Sequence, residues 1–303
     1  MTFVKLDELN PAQRQAAEHT DGALLIVAGA GAGKTKTLTY RIANLIHNGV
    51  VPHQILAITF TNKAAKELQE RLDALLSSTS NQTRPTASTF HSLGVRILRQ
   101  HGPKIGIPSN FVIMDRRDSE SLIKEINKEL GFDTKQWSPG KTVNYIGNRR
   151  QGKAAPIDQL ETIRNRYNSL KKERNLVDFD DLIYRTVELL QESEAAREAL
   201  QNTWTHVHVD EYQDTNRIQY ELVKLLSENH GNVCAVGDTD QTIYTWRGAE
   251  IKNLLQFEKD FANTTTVLLE QNYRSTQKII AVANDCITKN TARIEKNLFT
   301  KNN

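Results

Sequence analysis

An apolar run, Ala23-Leu24-Leu25-Ile26-Val27, leads directly into Ala28-Gly29-Ala30-Gly31-Ala32-Gly33-Lys34-Thr35, and no other stretch of the 303 residues limits the fold so tightly. The run reads as a buried strand. After the loop, Leu38, Ile42, Leu45 and Ile46 fall on one face of a helix that Gly49 closes. A strand, a loop of very small residues and a helix are the setting of a phosphate-binding loop. Small residues let successive backbone N–H groups curl around an anion, and the helix N-terminus adds a favourable dipole. In that setting Lys34 reaches the β- and γ-phosphates and the Thr35 hydroxyl ligates Mg²⁺. Ala28 stands where the strict motif has glycine, the next larger residue. The alternative, a glycine-rich turn that binds nothing, has the Lys-Thr pair and the preceding strand against it.

Repetition of that unit sets the fold class. Asn10 caps and Pro11 opens a first helix. Ile55-Leu56-Ala57-Ile58-Thr59 is a second buried strand, leading through Phe60-Thr61-Asn62 into an amphipathic helix carrying Ala65, Leu68, Leu72 and Leu75. Residues 77–85, rich in Ser, Thr, Asn and Pro, read as a surface loop. Further strands fall at 206–209, 233–236 and 266–269, with helices at 216–227 and 276–288 between and after them. Strands alternating with helices on short connections predict an α/β fold, a parallel sheet with helices on both faces.

From Leu93 to about Val177 the strand candidates fade and helical patterns take over, as at Leu93–Leu98, Leu122–Ile126 and Gln159–Lys172. This segment reads as a helical insertion that leaves the sheet and returns at Leu182–Leu190. It holds 17 Lys and Arg against 9 Asp and Glu, a net of +8, whereas the remainder of the chain is net −5. A basic segment in an acidic frame suits a polyanion partner or, equally, a solvated helical surface. At 303 residues one large or two medium domains are expected. No apolar run approaches ~18 residues, so no membrane span is expected, and the start lacks a secretory apolar region. Cys234 and Cys286 have neither pairing nor zinc spacing, which fits a reducing, cytoplasmic setting.

Two more constellations carry chemistry. Asp210-Glu211 ends an apolar strand, where a nucleotide-hydrolysing sheet keeps its carboxylates. Asp210 can hold Mg²⁺ while Glu211 takes a proton from an attacking water. His206 and His208 alternate on the same strand, but no third ligand has matching spacing, and packing is the better account. In Val236–Ala249 a strand end delivers Gln241, placed to sense a γ-phosphate or orient a water. Tyr244 and Trp246 follow beside Arg247, the components of a base-stacking platform, although such aromatics are also common in cores.

These residues carry a resemblance. Leu9–Gln13, Ala28–Thr35, Ala57–Leu68, Thr89-Phe90-His91-Ser92, Val209–Thr215, Val236–Ala249 and Leu269-Glu270-Gln271-Asn272-Tyr273-Arg274-Ser275, seven ordered blocks over nearly the whole chain, make it similar to the UvrD/Rep/PcrA family of superfamily 1 DNA helicases. The resemblance implies a RecA-like ATP-binding subdomain (1A) over 1–92 and 178–303, and a helical insertion subdomain (1B), facing duplex DNA, over 93–177. It implies that Gln13 reads the adenine edge and Tyr273 stacks on the ring. Residues 28–36 would hold the phosphates, with Lys34, Thr35, Asp210 and Glu211 in the roles above. Gln241 would contact the γ-phosphate, and Arg274 would be one of two arginine fingers. Thr59, Phe60, Thr61, Asn62, His91, Tyr244, Trp246 and Arg247 would line single-stranded DNA.

Ala32 and Lys36 stand where the family usually has Ser and Arg, both mild changes. The family also continues well beyond Phe299-Thr300, into a second motor domain carrying the other finger and half of the DNA track. The implied function is therefore the ATP- and single-strand-binding N-terminal portion of a 3′–5′ DNA helicase that acts at single-strand/duplex junctions in repair or replication. A non-catalytic DNA- or partner-binding module is the rival, with the full set of first-domain catalytic residues against it. A P-loop kinase or transporter ATPase leaves Tyr244, Trp246 and Asn272-Tyr273-Arg274 unexplained.

Overall fold

Five consecutive residues of the first strand, Leu24–Ala28, are all buried, as are all five of Ile55–Thr59 and of Val233–Gly237. Burial without alternation requires cover on both faces of a sheet, which is how parallel sheets are packed. The computed structural model describes residues 5–77, 83–242, 250–289 and 293–303. Its strands are β1 (Leu24–Ala28), β2 (Ile55–Thr59), β3 (Thr86–Thr89), β4 (Val112–Met114), β5 (Leu176–Asp178), β6 (His206–Val209), β7 (Val233–Gly237), β8 (Thr265–Leu269), β9 (Gln271–Asn272) and β10 (Phe299–Thr300). Six form one parallel sheet in the order β3-β2-β6-β7-β1-β8. The α/β parallel sheet expected from the sequence is present.

The order places β6, β7 and β1 side by side. The loops leaving their C-terminal ends are Asp210-Glu211, Asp238–Gln241 and Gly29–Gly33, so three sequence blocks converge on one edge of the sheet. Ligands in open α/β sheets bind at that edge. Leu38, Ile42 and Leu45 of the helix Lys34–His47 and Leu68 and Leu72 of the helix Asn62–Leu76 enter the core that holds the sheet. At Pro11–Glu18, Asn10 and Gln13 form the reciprocal cap that the Asn-Pro start predicts.

Compactness divides the chain into two units, one of 1–90 with 198–303 and one of 91–197. The insertion read from the sequence, 93–177, lies within the second, which continues past it through the helix Phe179–Glu192. Its core gathers Ile123, Ile126, Tyr145, Ile163 and Tyr167 from the helices Arg116–Leu130, Pro139–Arg150 and Asp158–Glu173. Beside it lies a buried ion cluster: Lys171 Nζ is 2.7 Å from Asp178 and 2.5 Å from Asp181, and Arg150 bridges both carboxylates at 3.0 and 2.8 Å. Many of the unit's lysines, among them Lys104, Lys124, Lys128, Lys135 and Lys141, are exposed.

The sequence pattern left some strands unseen. β3 reads Thr-Ala-Ser-Thr, without an apolar run, because it pairs only with β2 at the sheet edge. β4 and β5 form a three-residue parallel ladder inside the segment read as helical, and β9 and β10 pair over only two residues. Strands this short carry no periodicity to read. Among the described residues no helix is long and apolar enough to cross a membrane.

Candidate nucleotide-binding site

The loop after β1 is shaped by glycine. Gly31 and Gly33 hold φ of 71° and 81°, a left-handed backbone that favours glycine. Gly33 is also the N-cap of the helix Lys34–His47 and offers it no side-chain acceptor. A bound anion is the natural cap for such a terminus. Asn272, 3% exposed, clamps the loop from β9: its Nδ2 donates to Ala30 O at 2.6 Å, and its Oδ1 accepts from the backbone of Arg274 and Ser275. The Tyr273 N–H donates to Gly31 O at 2.9 Å.

Lys34, at the first helical position, extends across the loop to the neighbouring strand ends. Its Nζ lies 3.3 Å from Glu211 Oε2 and 3.4 Å from Gln241 Oε1, so the lysine, carboxylate and amide of three separate blocks meet. Glu211 sits in left-handed backbone, φ 52°, an uncommon geometry for a side chain with a Cβ. Gln213 joins the two loops: its Nε2 donates to Glu211 Oε2 at 2.9 Å and its Oε1 accepts from Asp238 N at 3.0 Å. Thr35 is half-buried beside the loop.

Asp210 is buried behind Glu211 and accepts that residue's N–H at 3.0 Å. Burial first, then the Glu211 charge, push its pKa up to about 6, against an opposing pull from Lys34. Asp214 is raised to about 6 by burial and Glu211 in the same way, and its Oδ1 is buried without a hydrogen-bond partner. Carboxylate and hydroxyl oxygens are the hard donors that Mg²⁺ prefers, and Asp210 and Thr35 fit such a set with phosphate and water as the remaining ligands. Among the described residues no group of three or more His, Cys, Asp or Glu could hold a metal ion by protein ligands alone. His208 is enclosed in the sheet and held neutral, its pKa driven well down by burial, and His206 Nδ1 lies 3.0 Å from Thr205 Oγ1.

The raised pKa has a consequence for stability. A carboxyl whose folded pKa lies above its unfolded value destabilises the folded chain once ionised; the penalty is full above about pH 6 and fades as pH falls through it. Asp210→Asn should therefore raise unfolding stability at pH 7.5 by about 1–3 kcal/mol, the order of the shift. The gain should shrink toward pH 5. Denaturant titrations of both chains at the two pH values check it; an equal or less stable variant at pH 7.5 would contradict the assignment.

At the candidate base site, Tyr273 is half exposed and its hydroxyl accepts from Asn10 Nδ2 at 2.8 Å. Gln13, three residues after Asn10, is 2% exposed, with Oε1 on Asn10 N and Nε2 on Ala32 O at 3.0 Å. Its amide is thus tied to the loop, leaving one N–H and one lone pair. Arg274 is exposed. Lys36 points elsewhere, its amine donating to Glu8 O at 2.9 Å.

Of the residues assigned to a DNA track, Thr61 caps the helix Asn62–Leu76 by accepting from Ala64 N at 3.1 Å, and Thr61 and Asn62 are exposed at its start. Phe60 packs edge-on against Phe90 at 5.6 Å. Thr59 is 2% exposed, its hydroxyl turned to Thr61 O. In the second unit, His91 packs against the half-exposed Phe179 at 5.6 Å, and burial lowers its pKa. Tyr244, Trp246 and Arg247 lie outside the described residues. The sequence reading gave no role to Asn272, Gln213 or Asp214; each lies inside a block quoted above, where polar residues beside a strand end were the available signal.

Known proteins are similar to this chain over nearly its whole length. The profile of the UvrD/REP helicase N-terminal domain matches residues 9–262. The ATP-dependent DNA helicase PcrA of Bacillus subtilis (strain 168) is 46% identical over 310 residues, covering 98% of this chain and 42% of its own length. The PcrA of Staphylococcus aureus (strain NCTC 8325 / PS 47) is 44% identical over 309 residues, with the same coverage, and that of Leuconostoc citreum 45% over 306. The chain thus spans about two-fifths of the length of these curated relatives. With the phosphate loop, the paired carboxylates and the glutamine on one sheet edge, and a profile match across most of its length, the chain belongs to the UvrD/REP helicase family as its N-terminal domain.

Proposed function

We propose that this chain is the ATP-binding and single-stranded-DNA-binding portion of an ATP-dependent 3′–5′ DNA helicase working in repair or replication; the polarity rests on family likeness alone. One observation supports it above the rest: Lys34, Glu211 and Gln241, from three separate blocks, meet within 3.3–3.4 Å at the mouth of a phosphate-binding loop. In this reading residues 28–36 hold the triphosphate, with Lys34 on the β- and γ-phosphates and Gln13 and Tyr273 at the base. Thr35 and Asp210 hold Mg²⁺, which when bound supplies charge neutralisation across the phosphates. Glu211 orients a water and accepts its proton, Gln241 senses the terminal phosphate, and Arg274 stabilises developing charge.

DNA binding follows the same reading. Thr61 and Asn62, exposed at a helix start, suit a backbone phosphate. Tyr244, Trp246 and Arg247 are proposed to lie along the bases, and the basic segment 93–177, as subdomain 1B, to face duplex at a junction. Fluorescence titration with oligo-dT should then show weak, salt-sensitive binding. Trp246→Ala should cost ~1–3 kcal/mol while leaving the salt slope nearly unchanged, because stacking releases no counterions. Thermal melting run in parallel establishes that the variant is folded. A folded Trp246→Ala that binds like wild type would make Trp246 a packing residue.

A further inference from the structure

The chain folds back over its own phosphate loop. In the segment 293–300, β10 pairs in parallel with β9, Phe299 opposite Gln271, and Asn284 Nδ2 holds Leu298 O at 2.8 Å. Leu298 lies so close to the loop that a Cβ on Gly29 would stand 2.4 Å from its Cδ2. From this strap Lys296 reaches inward, its side chain 1% exposed. Its Nζ lies 2.5 Å from Asp238 Oδ1 and also pairs with Asp240, whose Oδ2 is 3.1 Å from Arg293 Nη2. Two cations and two carboxylates balance in the interior. Burial of such a cluster is costly unless every charge is matched, so each partner is held in one place by the others.

Asp238 passes that constraint on. With Oδ1 on Lys296, its Oδ2 accepts from Gln241 Nε2. An amide side chain can present either its N–H₂ or its oxygen to a given neighbour, and the partner of one end decides which. Here the N–H₂ end is committed to Asp238, so Oε1 faces Lys34 Nζ at 3.4 Å and one N–H stays available. We propose that Lys296 is a positioning residue for the nucleotide site: by fixing Asp238 it sets the orientation of Gln241, and the strap 293–300 thereby governs how the site distinguishes a nucleoside triphosphate from a diphosphate. This rests on the nucleotide-site reading of Lys34 and Gln241.

Calorimetric titration with Mg·ADP and with a non-hydrolysable Mg·ATP analogue tests it. Wild type should prefer the triphosphate. Lys296→Met should lower that preference about tenfold, the effect of one charge-assisted hydrogen bond, with ADP affinity within about twofold, since the diphosphate does not reach Gln241. Lys296→Arg should restore it. In a Gln241→Ala background Lys296→Met should have no further effect, a silence that a merely structural role would not produce. The paired variant Lys296→Met/Asp240→Asn keeps the cluster neutral and carries the same expectation if the single variant does not fold. Unchanged preference, equal loss of both nucleotides, or an effect that persists without Gln241 would each overturn the proposal while leaving the nucleotide site standing. A wild-type chain that binds neither nucleotide would overturn the nucleotide reading itself, and this inference with it.

Discussion

Lys34→Ala should weaken Mg·ATP binding about tenfold to hundredfold without unfolding the chain. A charge-assisted contact between an ammonium and phosphate oxygens is worth roughly 1.5–3 kcal/mol, which corresponds to that range. The folded state loses little, because the ion pair that Lys34 makes here is with Glu211, whose side chain is 39% exposed, and such pairs contribute modestly to stability. A second effect follows from the electrostatics. Lys34 is the charge that pulls the Asp210 pKa down against burial and Glu211, so its removal should raise that pKa further above about 6. In the reading in which Asp210 helps to hold Mg²⁺, metal binding near neutral pH would then displace a proton from Asp210, and the variant should release more protons on binding than wild type does. Calorimetry at pH 7.5 in buffers of different ionisation enthalpy reads both quantities. Equal affinities in a folded variant and wild type would remove Lys34 from the phosphate site.

How much of this was legible in advance depends on what each residue's signal was. β1, β2 and β7 announced themselves because a strand covered on both faces must be apolar throughout. β3 did not, because a sheet edge leaves Thr86 and Ser88 partly exposed and nothing forces an apolar pattern. The capping by Asn10 was readable from local chemistry, since a cap depends on residues three positions apart. Lys34, Glu211 and Gln241 were each legible as a polar residue at a strand end, but their meeting depends on the strand order that sets those strands side by side. The cluster of Lys296, Arg293, Asp238 and Asp240 spans more than fifty residues of sequence. No periodicity or local motif encodes such a contact, and a lysine in a polar C-terminal stretch reads as surface. Lys36 shows that neighbours in a motif need not point the same way, since its amine turns to Glu8.

By themselves the 303 residues should turn ATP over far more slowly than a typical enzyme's ~10 s⁻¹ and should displace no DNA strand. Arg274 stands exposed near the phosphate loop and can supply one arginine finger, while the resemblance places the other in the part of the relatives that this chain does not span. Supplying or removing such a finger changes phosphoryl-transfer rates by about 10³–10⁵, so a site with one of two should fall short by several orders of magnitude. Water exclusion acts in the same direction. Glu211 keeps 39% of its side chain exposed, and a base in contact with bulk solvent neither orients one attacking water nor shields the developing charge. Unwinding fails for an independent reason: a motor that walks along one strand needs two bodies that grip it in alternation, and a single sheet domain cannot alternate with itself. The assays are DNA-stimulated phosphate release and strand displacement on the purified chain, with Glu211→Gln as the blank. Robust turnover that disappears in Glu211→Gln would sink this account, because the completing arginine must then come from the chain itself. A steep dependence of that turnover on protein concentration would locate it on a second copy, lending Arg274 or another cation across an interface, and would make association of these domains the event that switches hydrolysis on.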